Sequence, residues 1–210
     1  LAEQAPLKWY HRYQFLYAFV FYGLMTITML TNDFTRLFQY EKAGLVKSQN
    51  KKVKSEYFKM FFRKVVYLSL VLGLPMWLTD FTWYQILIGF FVMHWVASII
   101  LSFVFQMAHV VEGAEQPVVE NELHTDWHVH QLKTTSDFAR NSKLLSWYVG
   151  GLNFQIEHHL FPNICHIHYP KLAPIVEKTA REFGIPYNLK SSFGSALMSH
   201  VERLKELGRA

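Results

Sequence analysis

Three stretches of this chain contain no Asp, Glu, Lys or Arg: residues 13–32, 65–79 and 81–111, which are 20, 15 and 31 residues long. A charge-free run longer than about 18 residues is hard to enclose in a small aqueous core, and it matches the thickness of a bilayer. Together these runs hold 66 of the 210 residues, so all 37 charged side chains fall on the other 144. The mean hydropathy of +0.07 is therefore an average over two media. This segregation predicts a polytopic membrane protein with a substantial aqueous part and excludes a disordered tail or a solvated coiled coil.

Charge sets the expected topology. Residues 33–64 read as a loop with nine basic and three acidic side chains, which the positive-inside rule places in the cytoplasm. A hairpin of spans over 65–79 and 81–111, turning at Trp77, Asp80 and Trp83, then returns the chain to the same side. Pro75 kinks the first span. The flank before residue 13 is also basic, with Lys8 and Arg12, so 13–32 reads as a re-entrant or interfacial segment; a full crossing is the simpler alternative. Residues 1–111 thus form the membrane part and 112–210 a cytoplasmic helical cap.

Within the cap, 144–161 is a semi-apolar helix candidate stopped by Pro162. Pro170 opens an amphipathic helix that Gly184 ends, and 196–207 repeats that grammar before Gly208. No strand alternation or repeat stands out, so the expected fold is all-α. The chain opens on Leu1 without a signal-peptide pattern and is expected to be part of a longer protein. Its one cysteine, Cys165, excludes an internal disulfide framework.

Eleven histidines are a high count for this length. On a helix, Gln155, His158 and His159 sit at i, i+3 and i+4 and present an amide and two imidazoles to one point, a donor set suited to iron, copper, nickel or zinc. Adjacent histidines alone favour a hydrogen-bonded surface pair, so context must decide. His109 supplies part of it, because it ends the long span on the same expected side. His94 lies mid-span and reads as a neutral, bundle-facing residue with a hydrogen bond. His124 and His128 have metal-ligand spacing, yet the pattern arises readily in a His-rich chain, and His130 points elsewhere. His166 and His168 precede Pro170 and read as loop residues.

The segment Gly150-Gly-Leu-Asn-Phe-Gln155-Ile-Glu-His158-His159-Leu-Phe-Pro162, continued by Ile164-Cys-His-Ile-His168-Tyr-Pro170, resembles the third histidine box of membrane fatty acid desaturases. It is most similar to the front-end branch (Δ6/Δ5-like), in which Gln replaces the first His of the box. Gln106-Met-Ala-His109-Val-Val-Glu112 and Trp127-His-Val-His130-Gln131-Leu-Lys-Thr-Thr135 fit the same family, and the resemblance covers essentially the whole chain. The family's earlier boxes, of HxxxH and HxxHH type, are not matched: no HxxHH occurs, and the HxxxH at His124 lies after the last span.

The resemblance implies two non-haem iron ions, dioxygen as oxidant, and removal of two hydrogens from a fatty acyl chain. It implies His158, His159 and His109 as iron ligands, His130 as a further candidate, and Gln155 as either a weak ligand or a contact behind the ligands. Glu112 and Glu157 would orient imidazoles through their second nitrogen. The implied partners are a fatty acyl-CoA or phospholipid acyl chain, membrane lipids, and cytochrome b5 or ferredoxin as electron donor. Related readings are a lipid hydroxylase or ketolase, a metal transporter, and a non-catalytic lipid-binding module. A transporter would carry ionisable groups in several spans, whereas only His94 is so placed. The net charge of +5 sits beside the spans, where it sets topology and attracts anionic headgroups, so no nucleic-acid partner is expected.

Overall fold

The computed structural model describes residues 7–116 and 126–209. They are mostly helical. A short 3₁₀ turn, Trp9–Tyr13, leads into α1 (Gln14–Tyr22), α2 (Met25–Lys42), α3 (Leu45–Ser48) and α4 (Val53–Leu68). A π-turn, Ser69–Gly73, joins α4 to α5 (Leu74–Leu78), and α6 is the long helix Trp83–His109. A described loop, 110–116, follows α6, and from Asp126 onward come α7 (Trp127–Thr134), strand β1 (Ser136–Phe138), α8 (Lys143–Tyr148), α9 (Gln155–Leu160), α10 (Tyr169–Glu182), strand β2 (Asn188–Lys190) and α11 (Phe193–Leu207). The chain divides into two compact units: Phe19–Ile100 is one, and the residues up to Ala18 with those from Leu101 onward form the other.

In the first unit, α4, the π-turn and α5 run as one helix, Val53–Leu78, and α6 is the second helix long and apolar enough to cross a bilayer. The 26 residues of the former span about 39 Å. The stretch 33–64, expected as a loop, is thus helical over much of its length, and the apolar run 65–79 lies within a helix that begins at Val53. Its first turns carry Lys54, Lys59, Arg63 and Lys64, whose long stems let the ammonium and guanidinium groups reach an aqueous interface. The π-turn lies immediately before Pro75, where the proline's missing N–H interrupts the regular ladder.

Segment 13–32 is broken. The helices on either side of Gly23 and Leu24 bend by 83°, the geometry of a broken span or a re-entrant loop. At that corner a Cβ on Gly23 would lie 2.0 Å from the Trp95 indole, so only glycine fits. His94 is 6% exposed, and both its ring nitrogens are engaged at 2.8 Å, Nδ1 with Thr26 Oγ1 and Nε2 with Tyr67 Oη. Hydroxyls donate or accept as needed, so they serve a neutral imidazole fully. The burial and hydrogen bonding expected of His94 are both present.

In the second unit, Met107 and Ala108 at the end of α6 pack with Phe138, Ala139 and Ala196. A second cluster joins Leu132 of α7, Ile156 of α9, and Val176 and Ala180 of α10. A third joins Phe154 to Tyr169 and Ala173. The strands pair in parallel, Ser136 against Asn188 through Phe138 against Lys190, a small departure from an all-α fold. The expected helix over 144–161 is two helices, because Gly150 (φ 61°) and Gly151 (φ 76°) take left-handed conformations that end α8. The amphipathic helix after Pro170 and its stop at Gly184 (φ 66°) match expectation, and α11 starts at Phe193, three residues early, on a Ser192 cap.

Candidate metal centre

The residues of interest all lie in the second unit. Helix α9 has only six residues and begins straight after the Gly-Gly turn. Its length still suffices to put Gln155, His158 and His159 on one side. His109, the last residue of α6, meets that side: the His109 and His159 rings are 5.1 Å apart, and the His158 and His159 rings 5.8 Å. Gln155 Nε2 lies 3.2 Å from His159 Nε2, and Gln155 Oε1 is buried without a hydrogen-bond partner. Three imidazoles and an orphaned amide oxygen therefore converge.

Each imidazole is held by its Nδ1. His159 donates Nδ1–H to Gln131 Oε1 at 2.6 Å; an amide oxygen can only accept, so the proton sits on Nδ1 and the Nε2 lone pair faces the Gln155 amide N–H. His109 Nδ1 faces the Thr134 carbonyl at 3.4 Å, and His158 Nδ1 faces Tyr169 Oη at 3.4 Å. Both contacts are longer than that of His159. Burial, and then the neighbouring His109 and His158, push the His159 imidazole down to about 4, so it stays neutral at physiological pH. A neutral imidazole whose Nδ1–H is held by an acceptor presents its Nε2 lone pair, the form a metal ligand takes, and His159 has that form.

The groups facing the three Nδ1 atoms are Gln131, the Thr134 carbonyl and Tyr169, and the two glutamates named from the sequence make their hydrogen bonds elsewhere. Glu112 is exposed, and its carboxylate accepts from Ser199 Oγ at 3.2 Å. Glu157 lies on the far side of α9. Among the described residues, no ring contact or hydrogen bond links His130 to the three imidazoles. His128 is exposed and pairs with Asp126, which caps α7, while His124 lies outside the described residues. His166 and His168 are exposed in a 3₁₀ turn. His200, which carried no sequence signal, is fully buried with Nδ1 2.6 Å from the Val110 carbonyl, at the end of α6 beside His109.

Behind α9 lies a buried polar cluster that the sequence did not reveal. Asp137 Oδ1 accepts from the Ile156 N–H at 3.0 Å, capping the start of α9. Tyr187 Oη is 2.6 Å from Asp137 Oδ2, 2.9 Å from Glu157 Oε1 and 3.2 Å from Arg140 Nη1. Arg140 also donates to Glu177 at 2.7 Å. Tyr187 has one proton for two carboxyls, so either Asp137 or Glu157 must itself hold a proton. Burial, then the charge of Asp137, pushes Glu157 up to about 9, which makes it the protonated partner. Burial pushes Asp137 up as well, opposed by the hydrogen bonds it accepts.

The donors present suit a cation such as iron, but among the described residues no three His, Cys, Asp or Glu form a cation-holding group. The imidazoles and Gln155 are a partial donor set that an ion would share with further ligands.

The family model for fatty acid desaturase matches residues 2–191. The chain is 36% identical to the acyl-lipid (8-3)-desaturase of Physcomitrium patens, over 99% of this chain and 43% of that protein. It is likewise 36% identical to the sn-1 linoleoyl-lipid 6-desaturase of Arthrospira platensis, over 99% of this chain and 56% of that protein. With Delta(5) fatty acid desaturase A of Dictyostelium discoideum the identity is 33%, over 96% and 44% respectively. The chain thus spans about half the length of the relatives it matches. No solved structure matches it. The family match, the apolar spans and the converging histidines lead to one conclusion: this chain belongs to the fatty acid desaturase family.

Proposed function

We propose that this chain carries part of the di-iron site of a membrane desaturase that introduces a double bond into a fatty acyl chain of a lipid or acyl-CoA. The observation that carries this is the convergence of His109, His158 and His159, each with Nδ1 facing an oxygen, around the unpartnered Oε1 of Gln155. These four residues would hold iron, and His130 is a further candidate one helix away. Bound there, the iron would supply the dioxygen chemistry that removes two hydrogens from an unactivated methylene pair.

The chain's own residues do the rest. Gln131 keeps the His159 proton on Nδ1, so the opposite nitrogen is presented without a proton to lose. Burial keeps that ring neutral. The apolar spans hold the protein where acyl chains are, and the basic excess over 33–64 favours a cytoplasmic face for the site, with the residues after Val111 forming a cap there. Dioxygen and an electron donor, cytochrome b5 or ferredoxin, complete the reaction.

The test is His159→Ala in the protein expressed from its complete coding sequence, in a host whose fatty acids are profiled. The expected result is loss of the new unsaturated products and of bound iron. Unchanged products would overturn the ligand role, and hydroxylated products from the wild type would replace desaturation with oxygenation.

A further inference from the structure

Helix α9 carries the donor face but cannot hold its own orientation. Six residues are far below the length at which a helix is stable alone, and a Gly-Gly turn and Pro162 bound it. At about 100° per residue, Gln155, His158 and His159 cluster on one side, while Glu157 lies about 200° round from Gln155. Something on the opposite side must fix the roll of the helix.

We propose that Tyr187 is the positioning residue of this helix: its hydroxyl ties Asp137, which caps the first turn, to Glu157 on the side away from the imidazoles, and so sets the aim of Gln155, His158 and His159. Two points on α9, the Ile156 N–H and the Glu157 carboxyl, are thereby joined through one hydroxyl, and two points fix a rotation where one does not. Tyr187 is itself anchored. Its ring packs against the cluster of Leu132, Ile156, Val176 and Ala180, and the Arg140 guanidinium lies 5.3 Å over the ring while pairing with Glu177 of α10. The hydroxyl therefore carries rigidity from α10 and β1 to a helix too short to supply it.

This inference rests on the reading of His158 and His159 as iron ligands. The experiment compares wild type, Tyr187→Phe, Glu157→Leu, Glu157→Gln and Ile185→Ala, all expressed from the complete coding sequence. Iron per chain is measured after an equal chelator challenge, beside the unfolding midpoint. Tyr187→Phe keeps the ring in its cluster and removes only the tie, and Glu157→Leu cuts the same tie at the helix. Both are expected to weaken iron retention at least tenfold, in the range found when groups behind a metal ligand are lost. Glu157→Gln, whose amide can still pair with the Tyr187 hydroxyl, should retain wild-type iron. Ile185→Ala loosens the same apolar cluster without touching the hydroxyl, and should lower the midpoint without comparable iron loss. Wild-type iron in either Tyr187→Phe or Glu157→Leu would overturn the proposal, as would equal iron loss in Ile185→Ala at a matched midpoint. A wild type without iron would sink the iron reading and this proposal together, so the two failures are distinguishable.

Discussion

Glu157 offers a test of the buried cluster that needs no metal. Its carboxyl is pushed up to about 9 from an ordinary 4.5, so the folded chain binds a proton that the unfolded chain releases. Stability from this group is therefore fully present below about 4.5 and declines as pH rises, until the folded group also ionises near 9. At about 1.36 kcal/mol per unit, holding the proton at pH 7.5 costs at most ~4 kcal/mol; because the proton is shared with Asp137, about 2–4 kcal/mol is the expected range. Glu157→Gln keeps a donor for Tyr187 and does not titrate. It should raise the unfolding midpoint of the metal-free protein at pH 7.5 by roughly 5–10 °C, at about 2–4 °C per kcal/mol for a chain of this size. The gain should shrink toward pH 5. His159 works in the opposite sense, since its imidazole is held down near 4, but its contribution is complete above about 6.5 and leaves the window from pH 7 to 8.5 clear. A Gln variant less stable than wild type at pH 8, or two parallel midpoint-versus-pH curves, would refute the protonated carboxyl.

Three further outcomes can be checked. Gln131→Leu strands the His159 Nδ1–H without its acceptor, and iron affinity should fall about 10–100-fold with little change in fold, measured by competitive chelation. Gly151→Ala and Gly150→Ala both force alanine into the left-handed region, at about 1–2 kcal/mol each. A Cβ at 151 would also meet His166 Cβ at 2.7 Å, whereas the space at 150 is open, so the 151 variant should melt lower. His94→Leu leaves Thr26 and Tyr67 without their shared imidazole inside the membrane; a loss of roughly 1 kcal/mol in unfolding from micelles is expected.

What the sequence discloses depends on the range of the physics involved. The spans are legible because exclusion of charge acts on every residue of a long run. Helix α10 is legible because Pro170 and Gly184 act locally, and the Gln155–His158–His159 face follows from helical period alone. Other features depend on partners far along the chain. Gln131 meets His159 across 28 residues, and the Thr134 contact uses a backbone carbonyl, which leaves no mark in a side-chain pattern. Glu112 and Glu157 look like orienting carboxylates by proximity in sequence, yet one turns to Ser199 and the other to the reverse of its helix. The strands are too short, at three residues each, to show alternation. Gly150 and Gly151 are adjacent in the sequence, but it is their paired positive φ angles that make them the end of α8.

The three-residue ladder between β1 and β2 sets an order of events. It closes a loop of about 50 residues, at an entropic cost of roughly 3.5 kcal/mol, and every residue of α8, α9 and α10 lies inside that loop. Tyr187 and β2 are the last parts of the loop to be made. During synthesis the histidine-bearing helix therefore precedes the segment that locks it, and until Tyr187 has followed it nothing joins Asp137 to Glu157 through a hydroxyl. On the proposed reading of His158 and His159 as iron ligands, an ion would find its final arrangement only once β2 has joined β1.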